Sequence, residues 1–461
     1  GGTTGFVRQL FNANELTTDE SICCWGDEGI PAFNYNQWGA SHPMLKGFYY
    51  RLYFGVTMCN FYLTEAADYN ATMTAEVRFL RAMYYYHLMD CFGNIPFLTE
   101  VASEPAPQAS RAEVYNFIET ELLEIESQLA APMTNTYGRA DQAAAWMLLS
   151  RLYLNAEVYT GTAQWQKAAD YAKKVMNSAY QLHTTPKNGW SAYQMLFMGD
   201  NGQNANALNE IVMASCYDAN KTQSYGGPTF FIAGSTNNAN NLGLANGWAG
   251  LNTSTQFVTN LIGASADGAE LGQNVDAFTG IDKRALVTLK YSEKKNQAID
   301  SFTAGWHVFK YNNLHSNETR DIYGEYDNLV EQFASIDFPL IRAAEMYLIY
   351  AEAQVRYDGG STADAKAVQY LTALQKRAGL NPAVSTITLD NVFTEITREL
   401  YWEGLRRTTL IRFDKFVEGN FVWPFKGGAE SGQALPEYMK LFPLPDEDLV
   451  ANTNLTQNVG Y

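Results

Sequence analysis

One stripe of apolar side chains between residues 75 and 100 constrains the fold more than any other feature of this sequence. Its members recur with the spacing that places side chains on one face of an α-helix. After them, Gly93 and Pro96 end the helix, because glycine favours a helix C-terminus and proline cannot continue one. Other helices must cover the stripe, so the sequence predicts a helical core around this segment. The stripe consists of Leu80, Met83, Tyr84, His87, Leu88 and Cys91.

The composition indicates an ordered protein with an acidic surface. Of 461 residues, 46% are hydrophobic and 18% are charged, enough for a sizeable core. Lys and Arg total 32 against 49 Asp and Glu, and the net charge of -17 argues against nucleic acid as a partner, because phosphate binding needs a basic face. The five cysteines form no C-x-x-C pair, so free thiols are expected rather than a zinc site or a disulfide framework. No apolar run is long enough to span a membrane.

Helical hairpins are predicted on both sides of a less regular middle region. Residues 139–180 alternate small and large side chains as in a tetratricopeptide-like hairpin, and residues 342–378 repeat the pattern. Alanines let paired helices approach closely, and neighbouring hairpins bury the remaining faces. The predicted fold class is mostly α: a single domain with a tetratricopeptide-like helical hairpin scaffold (1–187 and 332–461) and a large, loop-rich, irregular insertion (about 188–331).

The sequence contains no recognisable catalytic constellation. Metalloprotease, nucleophile-elbow, phosphate-loop and dinucleotide motifs are all absent. Glu399 and Glu403 lie four residues apart in a helix expected over 394–416, and two carboxylates across a cleft could serve a glycosidase. Because they share one helix with several arginines, we interpret them instead as ion pairs that hold helix to loop, and His87 as a core residue. No catalytic residue, metal or cofactor is predicted.

A loop over residues 21–43 contains four large aromatic side chains among glycines and prolines. A loop of this length with so many large rings needs a physical reason. Two interpretations stay open: the rings fix the loop to the core, or they form a platform on which a ligand stacks. The side chains concerned are Trp25, Phe33, Tyr35 and Trp38.

Four segments, in order, resemble the SusD/RagB-like family of outer-membrane nutrient-binding lipoproteins of Bacteroidetes. After Glu403 and Gly404 the chain departs from the family, because Leu405 and Arg406 replace its usual Arg-Trp pair. The resemblance implies four tetratricopeptide-like units and an irregular, loop-rich portion. The segments are FLRAMYYYHLMDCFGNIPF (79–97), DFPLIRAAEMYLIYAEA (337–353), RELYWEGLRRTTLIRFDKF (398–416) and LFPLPDEDLVANTNLTQNVGY (441–461).

The resemblance also implies a function without chemistry. It suggests a surface-exposed protein of the outer membrane that captures oligosaccharide or polysaccharide and delivers it to a SusC-like, TonB-dependent transporter. Membrane association is implied through a lipid anchor that the printed sequence does not contain. Capture of peptides or glycoproteins by the same kind of importer is an alternative, and a glycosidase is a third hypothesis.

The resemblance places the ligand on aromatic residues of the first loop and of the insertion. A pyranose ring presents C–H groups on a flat face that suits an aromatic plane, and nearby amides and carboxylates read the hydroxyls. Trp25→Ala or Trp38→Ala is expected to weaken binding with little effect on stability. The expected ligand-binding residues are Trp25, Asp27, Asn36, Trp38, Trp306 and Tyr323, with Trp248, Tyr326, Asn34 and Gln37 as further candidates, the polar ones by proximity in sequence.

Overall fold

The protein is mainly helical, which confirms the predicted fold class. The computed structural model describes residues 2–278, 282–296, 298–319, 322 and 330–461. The helices described there, numbered in chain order, are α1 Phe6–Asn14, α2 Ile30–Asn34, α3 Pro43–Glu65, α4 Ala71–Phe92, α5 Arg111–Ile125, α6 Gln142–Leu154, α7 Ala156–Thr160, α8 Trp165–Met176, α9 Ala205–Leu208, α10 Pro228–Ser235, α11 Thr255–Ile262, α12 Val275–Phe278, α13 Ala343–Tyr357, α14 Ala365–Arg377, α15 Leu389–Leu400, α16 Arg406–Arg412 and α17 Asp446–Ala451.

The strands are short and form antiparallel pairs. Two of these pairs connect distant parts of the chain, because they join the first loop to the insertion and the insertion to the scaffold. The pairs are β1 Ile22–Cys23 with β5 Leu251–Asn252, β2 Ile95–Pro96 with β3 Gln108–Ala109, β4 Ile211–Ser215 with β8 Phe338–Arg342, β6 Val287–Thr288 with β7 His307–Val308, and β9 Ser361–Thr362 with β10 Ile387–Thr388.

The scaffold is a row of packed helices in which α3, α4, α5, α6, α8, α13 and α14 each contact the next. Gly55 lies where α3 passes Tyr84 of α4, and a Cβ at this position would overlap the Tyr84 ring. The absence of a side chain therefore allows the close approach of the two helices. Ser110 and Glu113 form the capping box expected at the start of α5, because each side chain bonds to the other's backbone N–H.

Helix α4 packs between α3 and α5, so other helices cover it as its apolar stripe predicts. The Asn70 side chain accepts a hydrogen bond from the backbone of Met73 at the start of the helix. Gly93 ends it with a φ of 71°, a value that glycine adopts without strain. His87 is buried, which confirms its interpretation as a core residue, and this burial lowers its pKa to about 4.

The predicted length of the helix that carries Glu399 was wrong. Helix α15 ends at Leu400, because Trp402 and Gly404 have φ values of 62° and 78°, which an α-helix does not allow. Glu403 therefore lies in a turn rather than on the helix that carries Glu399. Strand β8 comes directly before α13, the first helix of the hairpin expected over 342–378.

A network of buried ion pairs surrounds the two glutamates and joins the insertion to the scaffold. Arg342 contacts Glu399 and Glu403 at 2.7 Å each, and Arg284 of the insertion contacts Glu399 at 3.0 Å. Lys310, also from the insertion, reaches Glu403 at 2.7 Å. The ion-pair interpretation is confirmed. Because the Glu399 and Glu403 side chains are 0% and 3% exposed, they do not form a carboxylate pair in an open cleft.

The insertion packs into the same hydrophobic core as the scaffold. Phe230 and Phe231 of α10 are fully buried, and Phe231 packs against Phe338 of β8. The irregular character expected between residues 188 and 331 is seen in its short elements and long loops. The boundaries between scaffold and insertion stay a prediction.

Candidate ligand-binding site

The pairing of β1 with β5 brings the first aromatic loop next to the insertion. Ile22 pairs with Asn252 and Cys23 with Leu251, and the Cys24 N–H extends the ladder to the Gly250 carbonyl at 2.7 Å. The chain then places Trp25 beside the segment that precedes β5. Because these two segments are more than two hundred residues apart, only the folded chain makes them neighbours.

Four aromatic rings form a connected group at this place, which we call the aromatic surface. The Trp25 and Trp248 rings meet edge to face with centroids 5.9 Å apart, and Trp248 meets Tyr225 in the same way at 5.1 Å. Tyr225 continues to Phe333 at 5.0 Å. Tyr225 is exposed, and the other three rings are half-buried. The group therefore presents apolar ring area to solvent while its inner edges are held by packing.

The backbone before β5 fixes the orientation of Trp25. The indole N–H of Trp25 donates to the Ala249 carbonyl at 2.8 Å, and its ring packs on buried Phe230 at a centroid distance of 5.5 Å. Gly250 has a φ of 92°, and a Cβ there would collide with the Trp25 indole nitrogen. Glycine is thus required both for the backbone conformation and for the approach of the ring.

Polar side chains border the aromatic surface. The Gln332 amide donates to the Tyr225 hydroxyl at 3.2 Å and accepts a hydrogen bond from the Asn246 amide at 3.0 Å. Both amides are exposed. Asp27, one of the predicted contacts, is also exposed and follows Trp25 by two residues. Exposed amides and carboxylates beside aromatic planes can form hydrogen bonds with sugar hydroxyls.

A buried arginine lies against the same rings. The Arg8 guanidinium carbon is 4.4 Å from the Phe230 ring centre and 5.8 Å from that of Trp25, within the range of cation–π attraction. Its side-chain Nε has no hydrogen-bond partner in the described part of the chain. Burial lowers the pKa of Arg8, and electrostatic interactions with Cys23 and Asp27 partly oppose that effect.

Two of the predicted contacts in the first loop fix the loop to the core instead. Trp38 is 5% exposed, and its indole N–H donates to the Tyr461 hydroxyl at 2.7 Å. Asn36 is buried and donates to the Thr17 carbonyl at 2.9 Å. Asn34 is buried too and bonds to the backbone of Cys23. These side chains do not reach the aromatic surface.

The predicted ligand contacts from the insertion also lie at different places in the structure. Trp306 is fully buried, and its indole N–H donates to the Thr255 hydroxyl at 3.1 Å, so it belongs to the core. Trp248 lies in the aromatic surface. Tyr323 and Tyr326 lie outside the described residues. Gln37 is exposed and lies beside Gly428.

Sequence reasoning missed three members of this region: Arg8, Tyr225 and Phe333. Tyr225 precedes a Gly-Gly-Pro turn, a composition typical of a surface loop, and this was the available signal. Nothing in the local pattern of Arg8 or Phe333 separates them from core or scaffold residues.

The described ranges contain no group of three or more His, Cys, Asp or Glu side chains that could hold a metal ion. In the same part of the chain, no helix combines the length and the apolar character needed to cross a bilayer.

Comparison with known proteins identifies the family. A family model described as "SusD family" matches residues 209–461, and one described as "Starch-binding associating with outer membrane" matches residues 17–154. The chain belongs to the SusD family. Starch-binding protein SusD of Bacteroides thetaiotaomicron is 35% identical to this SusD-family protein, in an alignment that covers all of this chain and 86% of the relative.

Solved structures share the fold at lower sequence identity. A SusD-like carbohydrate binding protein of Bacteroides fragilis has a TM-score of 0.74 at 18% identity, with 98% of each chain covered. Surface glycan-binding protein A of Bacteroides uniformis has a TM-score of 0.70 at 20% identity, covering 97% of this chain and 93% of that one. These similarities confirm the helical scaffold and its insertion as a SusD-type fold.

Proposed function

We propose that this SusD-family protein captures oligosaccharides at the aromatic surface and does no chemistry on them. The observation that carries the proposal is the connected group of Trp25, Trp248, Tyr225 and Phe333 with exposed amides at its border. Ring faces suit the flat C–H faces of sugars, and the amides suit their hydroxyls. The name of the relative from Bacteroides thetaiotaomicron, a starch-binding protein, makes starch fragments the first ligands to try.

Calorimetric titration with maltooligosaccharides, other plant and microbial oligosaccharides, and peptides tests this proposal. We expect binding to at least one glycan class, and no new reducing ends after long incubation with the ligand. Binding to peptides alone would favour the alternative of a peptide-capturing subunit. Release of reducing ends by the purified protein would contradict the non-enzymatic part of the proposal.

Delivery to a TonB-dependent, SusC-like transporter at the cell surface is the second part of the proposal. The family description of association with the outer membrane supports it, and so does one face of α3. Phe54, Met58 and Phe61 follow each other at helical spacing and are 58%, 51% and 55% exposed. A stripe of large exposed apolar side chains marks an interaction surface, and we infer that the transporter covers this one.

Phe54→Glu with Phe61→Glu is expected to abolish co-purification with the transporter expressed from the same genetic locus. The two carboxylates would have to be buried without partners in the interface, at a cost of several kcal/mol. Glycan binding should be unchanged, because α3 does not contribute to the aromatic surface. Tyr357→Glu, at a 61% exposed position of α13, is the matched control and should leave co-purification intact. Retained co-purification of the double variant would remove the α3 face from the interface.

A further inference from the structure

A cleft of about 440 Å³ lies between the end of α11 and the middle of α15, apart from the residues of the aromatic surface. Its lining is polar and aromatic and contains neither Asp nor Glu. In a chain with a net charge of -17, a cleft without acidic side chains is a local exception that suits a negatively charged ligand. The lining includes Asn260, Ser265, Phe393, Thr394, Arg398 and Phe421.

Arg398 is the residue that gives the cleft its charge. Its buried Nε has no hydrogen-bond partner, and no ion pair or hydrogen bond of its guanidinium is found within the described ranges. Other arginines near it, such as Arg284 and Arg406, bond to carboxylates. The guanidinium therefore carries a positive charge on the wall of the cleft with no carboxylate beside it in the described ranges, and an anion could pair with its outer nitrogens Nη1 and Nη2 through charge-assisted hydrogen bonds.

The backbone is shaped to hold this guanidinium in the cleft. Gly263, the residue after α11, has a φ of 70°, and a Cβ there would collide with Arg398 Nη2. Glycine therefore allows the contact between the end of α11 and the arginine. The C-terminal end of α11 also carries partial negative charge, which favours a cation at this position. That effect alone would make Arg398 a stabilising residue, so the test must separate stability from binding.

Two half-buried aromatic rings and a second cation complete the arrangement. Phe393 and Phe421 meet edge to face at 5.7 Å in the lining. The Lys415 ammonium nitrogen is 5.0 Å from the Phe393 ring centre and 5.4 Å from that of Phe421. Lys415 does not itself line the cleft but lies against two rings that do. The cleft thus combines ring surface with positive charge.

We propose that this cleft is a subsite for an acidic sugar unit, a uronic acid, of a captured glycan. Its carboxylate would accept hydrogen bonds from the Arg398 guanidinium, and its ring would lie on Phe421 or Phe393. The Thr394 hydroxyl and the Asn260 amide are available for its hydroxyls, whereas the Ser265 hydroxyl already donates to the Asp267 carboxylate at 3.2 Å. Helix α11 begins three residues after the end of β5 and ends at the cleft, a helix length of about 12 Å. The inference rests on the proposed glycan capture and extends it to acidic glycans.

Titration with tri-galacturonate and with the uncharged galactose trimer, on wild type and Arg398→Gln, tests the subsite. We expect wild type to prefer the acidic trimer, with an affinity that falls as salt is raised, and Arg398→Gln to weaken its binding about tenfold or more. Lys221→Gln, which removes a charge from an exposed loop, is the control and should bind as wild type. Phe421→Ala should also weaken binding of the acidic trimer.

Several results would overturn the subsite. One is full affinity of folded Arg398→Gln for the acidic trimer. Another is a lowered melting temperature of this variant with unchanged binding, which would make Arg398 a helix-end cation only. Competition by inorganic sulfate together with unchanged binding of Phe421→Ala would reduce the cleft to a simple anion site. Wild type that binds maltooligosaccharides but not tri-galacturonate would refute the subsite and leave the proposed function standing, whereas binding to no glycan would refute both.

Discussion

Arg342→Met is expected to lower the free energy of unfolding by about 3–5 kcal/mol, because it removes a cation that pairs with three buried carboxylates at once. The Arg342 guanidinium donates to Glu210 at 2.8 Å and to Glu399 and Glu403 at 2.7 Å each. All of these side chains are at most 3% exposed. Methionine replaces the apolar stem but none of the donors. Urea denaturation followed by circular dichroism measures the loss.

The pH dependence of this loss provides a second check. Burial raises the pKa of Glu399, but the positive charges of Arg377, Arg342 and Arg284 outweigh burial and hold this pKa well below its usual range. A carboxyl group with a lowered folded-state pKa contributes stability above its unfolded pKa, about 4.3, and loses it as the pH falls. The difference between wild type and Arg342→Met should therefore be largest near neutral pH and shrink below about pH 4.

An exposed ion pair serves as the control for Arg342. Lys46 contacts Glu447 at 2.8 Å, with side chains 32% and 64% exposed. Lys46→Met should cost less than about 1 kcal/mol, because water already solvates both charges. An Arg342→Met effect as small as that of Lys46→Met would show that the network contributes little to holding insertion and scaffold together.

Trp25→Ala is expected to weaken oligosaccharide binding by about thirtyfold or more, the effect of removing a central aromatic contact. Trp25 packs between Trp248 and buried Phe230. Its truncation therefore removes ring surface and also takes away one of the rings that hold Trp248 in place. Trp248→Ala should have a similar effect. Because these rings are only half-buried, each truncation should lower the free energy of unfolding by about 1 kcal/mol. The melting temperature should then fall by only a few degrees. Calorimetric titration with the best ligand of the panel measures the affinity.

Trp38→Ala is the matched control from the same loop, and here the structure reverses the expectation drawn from the sequence. Trp38 is buried against Phe442, with ring centroids 4.9 Å apart, and donates to the Tyr461 hydroxyl. Its truncation should cost about 3–5 kcal/mol of stability and leave the affinity of the folded protein unchanged. Full affinity of Trp25→Ala, or loss of binding by folded Trp38→Ala, would move the site away from the aromatic surface.

Local patterns in the sequence were sufficient for much of the scaffold. The stripe of α4 and the capping box of α5 depend on residues within a few positions of each other, so spacing alone predicts them. The break after Leu400 was missed because Trp402 is not a typical residue for a positive φ. The sequence predicted that Glu399 and Glu403 form ion pairs. It did not predict that some of their partners come from the insertion.

The sequence by itself determined the helical scaffold, the irregular insertion and the family, since these depend on local periodicity and on ordered segments along the chain. Only the tertiary structure decided which aromatic residues face solvent. Trp25 and Trp38 have the same side chain in the same loop. Trp25 packs against Trp248, whereas Trp38 is buried and donates a hydrogen bond to the Tyr461 hydroxyl. That difference comes from the pairing of β1 with β5 and from the docking of the C-terminus, contacts between residues hundreds of positions apart that no local pattern records.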